Sequence, residues 1–122
     1  MLASIIEREA NSEESMGLVS GILHNRLAIG MALQVDASVA YGLGKSGADL
    51  ITADLDIDGP YNTYTRVGLP EGPIAAPGRM AIKAALNPTP SEYLYYITGR
   101  DGNFYYAKTL AGHNQNVINH LR

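Results

Sequence analysis

Tyr93-Leu-Tyr-Tyr-Ile-Thr98, followed by Gly99-Arg-Asp-Gly-Asn103 and then Phe104-Tyr-Tyr-Ala107, is the stretch that decides the fold class. Two runs rich in aromatic residues flank five residues of turn chemistry, the pattern of a β-hairpin. Upstream, Arg79–Leu86 reads as a helix stopped by Asn87, Pro88 and Pro90. Downstream, residues 110–121 read as a last helix with Val117 and Leu121 turned inward. The chain is therefore expected to be α+β, mainly helical, with one late hairpin.

Further toward the N-terminus, residues 2–10 predict a helix whose face is Leu2, Ile5 and Ile6. Asn11 followed by Glu14 has the spacing of a capping box, and Met16, Val19, Ile22, Leu23 and Leu27 then recur at helical intervals up to Gly30. Leu33-Gln34-Val35 is a short strand candidate, after which Asp36 is placed to cap a helical turn through 37–41. Residues 42–60 read as mostly loop, with a helical turn near Thr52–Leu55, and 61–77 are irregular too. Gly/Pro-rich segments longer than about 12–15 residues point to a functional role.

Composition narrows the classes. At 122 residues with 46% hydrophobic and 17% charged positions, the chain fits a single soluble domain, 1–122, with a core of its own. A net charge of -3 with scattered Lys and Arg argues against nucleic acid as partner. No apolar run reaches the roughly 18 residues of a membrane span, and no basic-then-apolar leader opens the chain. The absence of Cys removes disulfides and thiolate chemistry.

Several motifs fail on spacing. Gly44-Lys45-Ser46 lacks the earlier Gly of a phosphate loop, since Val39 stands there. Asp54-Leu-Asp-Ile-Asp-Gly59 opens like a calcium loop, but its twelfth position is Thr65 rather than Glu. His113 and His120 have no carboxylate neighbours to complete a zinc site. No metal or organic cofactor is expected.

What remains is a carboxyl that continues an apolar stripe. Leu2, Ile5, Ile6 and Glu9 stand at i, i+3, i+4 and i+7. A carboxylate facing an apolar cleft loses hydration and keeps its proton to higher pH, the requirement for a general acid in glycosidic-bond cleavage. Periodicity alone leaves open that the stripe simply ends in a solvated Glu9. The tyrosines divide similarly. Tyr95, Tyr96, Tyr105 and Tyr106 read as cross-strand packing, whereas Tyr61-Asn-Thr-Tyr64 lies in a loop where aromatic, amide and hydroxyl groups suit a sugar ring.

These residues carry a resemblance that runs along nearly the whole chain. The blocks are Leu2-Ala-Ser-Ile-Ile-Glu-Arg-Glu9, Asn25-Arg-Leu27, Gly30-Met-Ala-Leu-Gln34 with Asp36, and Val39-Ala-Tyr-Gly42. Tyr61-Asn-Thr-Tyr64, Gly68-Leu-Pro-Glu-Gly-Pro-Ile74, Pro77-Gly78, Tyr93-Leu-Tyr-Tyr96 and His113-Asn114 follow in order. Together they resemble the catalytic domain of the endolytic murein transglycosylases, the YceG-like or MltG family.

The resemblance implies a lysozyme-like domain with long Gly/Pro-rich cleft loops, and a bacterial lyase that acts on peptidoglycan glycan strands. It implies cutting of the β-1,4 bond between N-acetylmuramic acid and N-acetylglucosamine without water, leaving 1,6-anhydro ends. One Glu serves as acid and then base. By the same resemblance that Glu is Glu9, because the small Ala10 follows it, with Glu7 as the alternative. Tyr61, Asn62, Gln34, Asp36 and Tyr64 are the implied cleft residues, and Asn25 and Arg26 the braces behind them; Asp36 has the competing role of helix cap.

The family setting further implies a place at the bacterial inner membrane, with the domain in the periplasm or otherwise outside the cytoplasmic membrane. It also implies cell-wall synthases (penicillin-binding proteins) as protein partners. Relatives of this kind carry a membrane helix and a LysM-like module before the domain, so this chain is expected to be the excised catalytic piece. His24, Gly112 and Asn103 depart from the family pattern at peripheral positions. A noncatalytic peptidoglycan-binding module and a hydrolytic muramidase are the rival readings.

Overall fold

A computed structural model describes residues 1–121. The order is α1 (Leu2–Glu9), α2 (Glu13–Ala28), α3 (Asp36–Leu43), two 3-10 turns (Gly47–Asp49 and Thr52–Asp56), α4 (Arg79–Leu86), β1 (Tyr95–Thr98), β2 (Phe104–Ala107) and α5 (Leu110–Leu121). The architecture is α+β: helices around one two-stranded antiparallel sheet.

Helix α2 is the axis of the molecule. Met16, Val19, Ile22 and Leu23 are buried on it together with Ser15, Gly17, Ser20 and Gly21, so it is enclosed on more than one face. Helices α1 and α4 pack against it and against each other, α3 rests on α1, and β1 lies along α2 with α5 covering the hairpin. The core joins Ile5 and Ile6 of α1, Val19 and Leu23 of α2, Leu33, Val35, and Ala81 and Ala84 of α4. Each large aliphatic buried there contributes about 1.5–3 kcal/mol. Small residues allow the tightest approach: a Cβ on Gly21 would stand 2.2 Å from the Thr89 carbonyl oxygen.

Helix bounds agree closely with expectation, and the hairpin pairs Tyr95 with Ala107 through Thr98 with Phe104. Three local readings need correction. The α2 cap is Ser12 rather than Asn11: its hydroxyl accepts from the Ser15 N–H at 3.1 Å, and Ser15 Oγ accepts from the Ser12 N–H at 3.1 Å. Serine thus does at the third position what Glu14 was expected to do, and Glu14 is exposed. Residues 33–35 form no strand, because Gln34 turns to φ 55 and the Gln34 and Val35 N–H groups both donate to Thr63 rather than to a neighbouring strand. Asp36 begins α3 but caps nothing, since Val35 holds the cap position. No helix of the described residues is long and apolar enough to cross a membrane.

Candidate active site

Glu9 ends α1 with its carboxyl in a cleft of about 440 Å³. Leu2, Ile5 and Ile6 sit on the same face, the latter two fully buried, so the helix presents the carboxyl from a fixed apolar base. The Tyr96 hydroxyl donates to Glu9 Oε1 at 2.8 Å. Burial lifts the Glu9 carboxyl above its ordinary pKa. Tyr96 works against that rise, Asp36 adds to it by like-charge repulsion, and Arg26 opposes it by attraction. Burial also holds the Tyr96 phenol well above its usual range, so it stays a donor.

Arg26 sets the floor. Its guanidinium is buried, donates through Nε to the Leu94 carbonyl at 2.7 Å and through Nη1 to the Leu33 carbonyl, and lies 5.6 Å and 6.0 Å from the ring centres of Tyr95 and Tyr96. Asn25, one residue earlier on α2, donates to the carbonyls of Ser91 and Tyr93 at 2.9 Å and 3.0 Å. These two side chains, expected as braces, clamp the approach to β1. Gln34, Asp36 and Tyr64 line the cleft, and the Tyr64 hydroxyl donates to Asp36. His113 and Asn114 of α5 form the far wall, with the His113 ring stacked on Tyr95 at 5.1 Å. Burial, then the nearby Arg26, lowers the His113 pKa and favours its neutral form.

A second hollow, about 430 Å³, opens on the other side of the same carboxyl. Glu9 and Asp36 line both, and Arg8, Tyr41 and Lys45 belong to the second alone. Glu9 and Asp36 therefore stand where two hollows adjoin, the two arms of one trough.

Two expected cleft residues lie elsewhere. Asn62 is buried with its amide fully engaged: Nδ2 donates to the carbonyls of Leu55 and Ile57, and Oδ1 accepts the N–H groups of Tyr64 and Thr65. Tyr61 wedges between Gly42 and Gly72 with its ring 5.0 Å from that of Tyr41. Both border a separate hollow of about 210 Å³ that shares no residue with the Glu9 trough. Glu7 is likewise outside both arms; its carboxylate accepts the Gly78 N–H at 2.6 Å, at the N-terminus of α4. Tyr95, Tyr96, His113 and Asn114 are among the cleft residues that residue-type reasoning did not assign, and only the third dimension brings them to Glu9.

The acidic run 54–58 is used locally. Asp54 accepts the Ile51 N–H and pairs with Lys45 at 2.9 Å, and Arg66 pairs with Asp58 and holds it down to about 2. Among the described residues no His, Cys, Asp and Glu side chains gather as a metal site.

The sequence profile of the YceG-like family matches residues 1–119. The chain is 40% identical over 114 residues to a Bacillus subtilis (strain 168) protein named endolytic murein transglycosylase, covering 93% of this chain and 32% of that protein. A Streptococcus pneumoniae (serotype 2, strain D39) protein of the same name is 36% identical over 126 residues, covering 98% of this chain and 23% of the other. The crystal structure of a YceG-like protein from Listeria monocytogenes superposes with a TM-score of 0.89 at 41% identity, covering 94% of this chain and 38% of that one. The chain thus spans about a quarter to a third of the curated relatives it matches. With the family profile matching residues 1–119 and the fold superposing on a YceG-like protein, the chain belongs to the YceG-like family.

Proposed function

We propose that the domain is a lytic transglycosylase that cuts peptidoglycan strands at the bond between N-acetylmuramic acid and N-acetylglucosamine. The observation that carries this reading is Glu9: a carboxyl with a raised pKa, fixed by Tyr96, lining both arms of the trough. Glu9 gives its proton to the leaving glycosidic oxygen as the bond to the muramoyl C1 breaks. The same carboxylate then takes the proton of the muramoyl 6-hydroxyl as that oxygen bonds to C1, closing the 1,6-anhydro ring. One carboxyl suffices for both transfers, and no water enters. Gln34, Asp36, Tyr64, His113 and Asn114 offer amide, hydroxyl and imidazole groups to the sugars, and the Tyr95 ring supplies an apolar face. On this reading the helical frame is lysozyme-like, a helix-borne acid facing an open trough. The domain works outside the cytoplasmic membrane, where the wall lies, with cell-wall synthases as neighbours.

Asp36 favours one alternative. A second carboxylate beside Glu9 is what a water-adding muramidase uses. Mass spectrometry of peptidoglycan digested by the wild type, Glu9→Gln and Glu7→Gln tests the choice. Anhydro ends, lost in Glu9→Gln and kept in Glu7→Gln, are the expected result. Reducing muramic ends make the domain a hydrolase, and intact glycan with retained binding makes it a binding module. Loss in Glu7→Gln alone moves the role of acid to Glu7.

A further inference from the structure

The two arms of the trough differ in kind. Beyond Glu9 and Asp36, which line both arms, the Tyr64–His113 arm adds neutral groups, and its one cation, Arg26, is buried and committed to two backbone carbonyls. The other arm is bordered by Arg8 and Lys45. Lys45 is partly exposed and already pairs with Asp54 at 2.9 Å. Arg8 is exposed and joins no ion pair among the described residues, although the acidic surface offers many carboxylates. The negative groups facing this arm are Glu9 and Asp36 at the shared rim, and Asp36 is held by the Tyr64 hydroxyl. Tyr41, half-exposed on the same wall, is backed by the Tyr61 ring.

A free guanidinium at the mouth of a sugar-sized hollow suits a ligand that brings its own carboxylate. Murein provides one, because acidic peptides branch from the muramic residues. We propose that the Arg8–Lys45 arm binds the acidic stem peptide next to the bond being cut, so that peptide-bearing glycan is preferred to bare glycan. The proposal rests on the peptidoglycan reading above and adds to it that the arms differ: both seat sugar on their side of the bond, and the cationic arm also holds the peptide that branches there.

Binding to the Glu9→Gln protein tests it without turnover. The probes are a peptidoglycan tetrasaccharide carrying its stem peptides and the same tetrasaccharide after amidase stripping, titrated calorimetrically. The peptide-bearing probe is expected to bind about tenfold more tightly, as for one charge-assisted contact. Adding Arg8→Gln should erase most of that preference and leave the stripped probe unchanged. Arg8→Lys should restore part of it, and the preference should shrink in high salt. Equal binding of both probes by the parent overturns the proposal and leaves the sugar reading standing. A parallel loss of both probes in Arg8→Gln also overturns it, since Arg8 then only supports the end of α1. Failure of the parent to bind either probe sinks the peptidoglycan reading along with it.

Discussion

Tyr96→Phe isolates the hydrogen bond that controls the central carboxyl. The substitution removes one oxygen and keeps the ring, which stacks near Phe104 at 6.5 Å. What is lost is the 2.8 Å donation to Glu9 Oε1. A hydrogen bond to an ionised group contributes about 1.5–3 kcal/mol, and the lower figure applies because Glu9 has one side open to the trough. The lost donor stabilised only the charged form. The carboxyl therefore holds its proton about tenfold more tightly in the variant, at about 1.4 kcal/mol per factor of ten. A carboxyl carbon NMR titration, with Glu9 assigned by comparison with Glu9→Gln, reads this directly and needs no turnover. The titration midpoint is expected to move to higher pH, and the alkaline limb of any cleavage profile should follow it. A midpoint that stays in place, or moves down, refutes the idea that Tyr96 restrains the effect of burial on Glu9.

Three further outcomes are expected. Because burial raises the Glu9 pKa in the folded state, that carboxyl favours folding while protonated and loses this contribution as pH rises through its folded value; the stability of Glu9→Gln relative to the wild type should therefore grow as pH rises above the ordinary carboxylate range, read in urea melts. Asn62→Ala strips partners from two carbonyls and two N–H groups, and should cost about 2–4 kcal/mol while leaving glycan affinity of the folded protein intact, checked by denaturation and titration together. Gly21→Ala drives a methyl into the Thr89 carbonyl and should lower stability by about 2–3 kcal/mol in thermal melts, with backbone shifts confined to α2 and the 87–90 segment.

Local physics made most of the frame legible. The Arg79–Leu86 helix, closed by Asn87 and the prolines behind it, and the hairpin with its Gly/Asp/Asn turn are written in near neighbours, and both lie where neighbour rules place them. The α2 cap is not legible because Asn11/Glu14 and Ser12/Ser15 share the same spacing, and spacing alone does not choose between them. The trough was legible in part. Periodicity shows Glu9 continuing an apolar stripe, which is a local pattern, but leaves open whether that carboxyl is solvated. Tyr61 and Tyr64 belong to one tetrapeptide, yet one faces α3 and the other the cleft; an irregular segment has no period from which facing can be read. Tyr96 reads as sheet packing, which it also is, and its hydroxyl acquires a task only because β1 lies along α2 beside Glu9.

Arg26 joins parts of the chain that are made at very different moments. It and the acid it helps to steady are synthesised early, but one carbonyl it grips and both rings beneath it come from residues 94–96, near the other end. A growing polypeptide that has released only its first two-thirds holds Glu9 without the Tyr96 hydroxyl and without the His113–Asn114 wall. The cleft around Glu9 is assembled last, when the hairpin and α5 arrive, so the carboxyl meets its full surroundings only once the domain is complete.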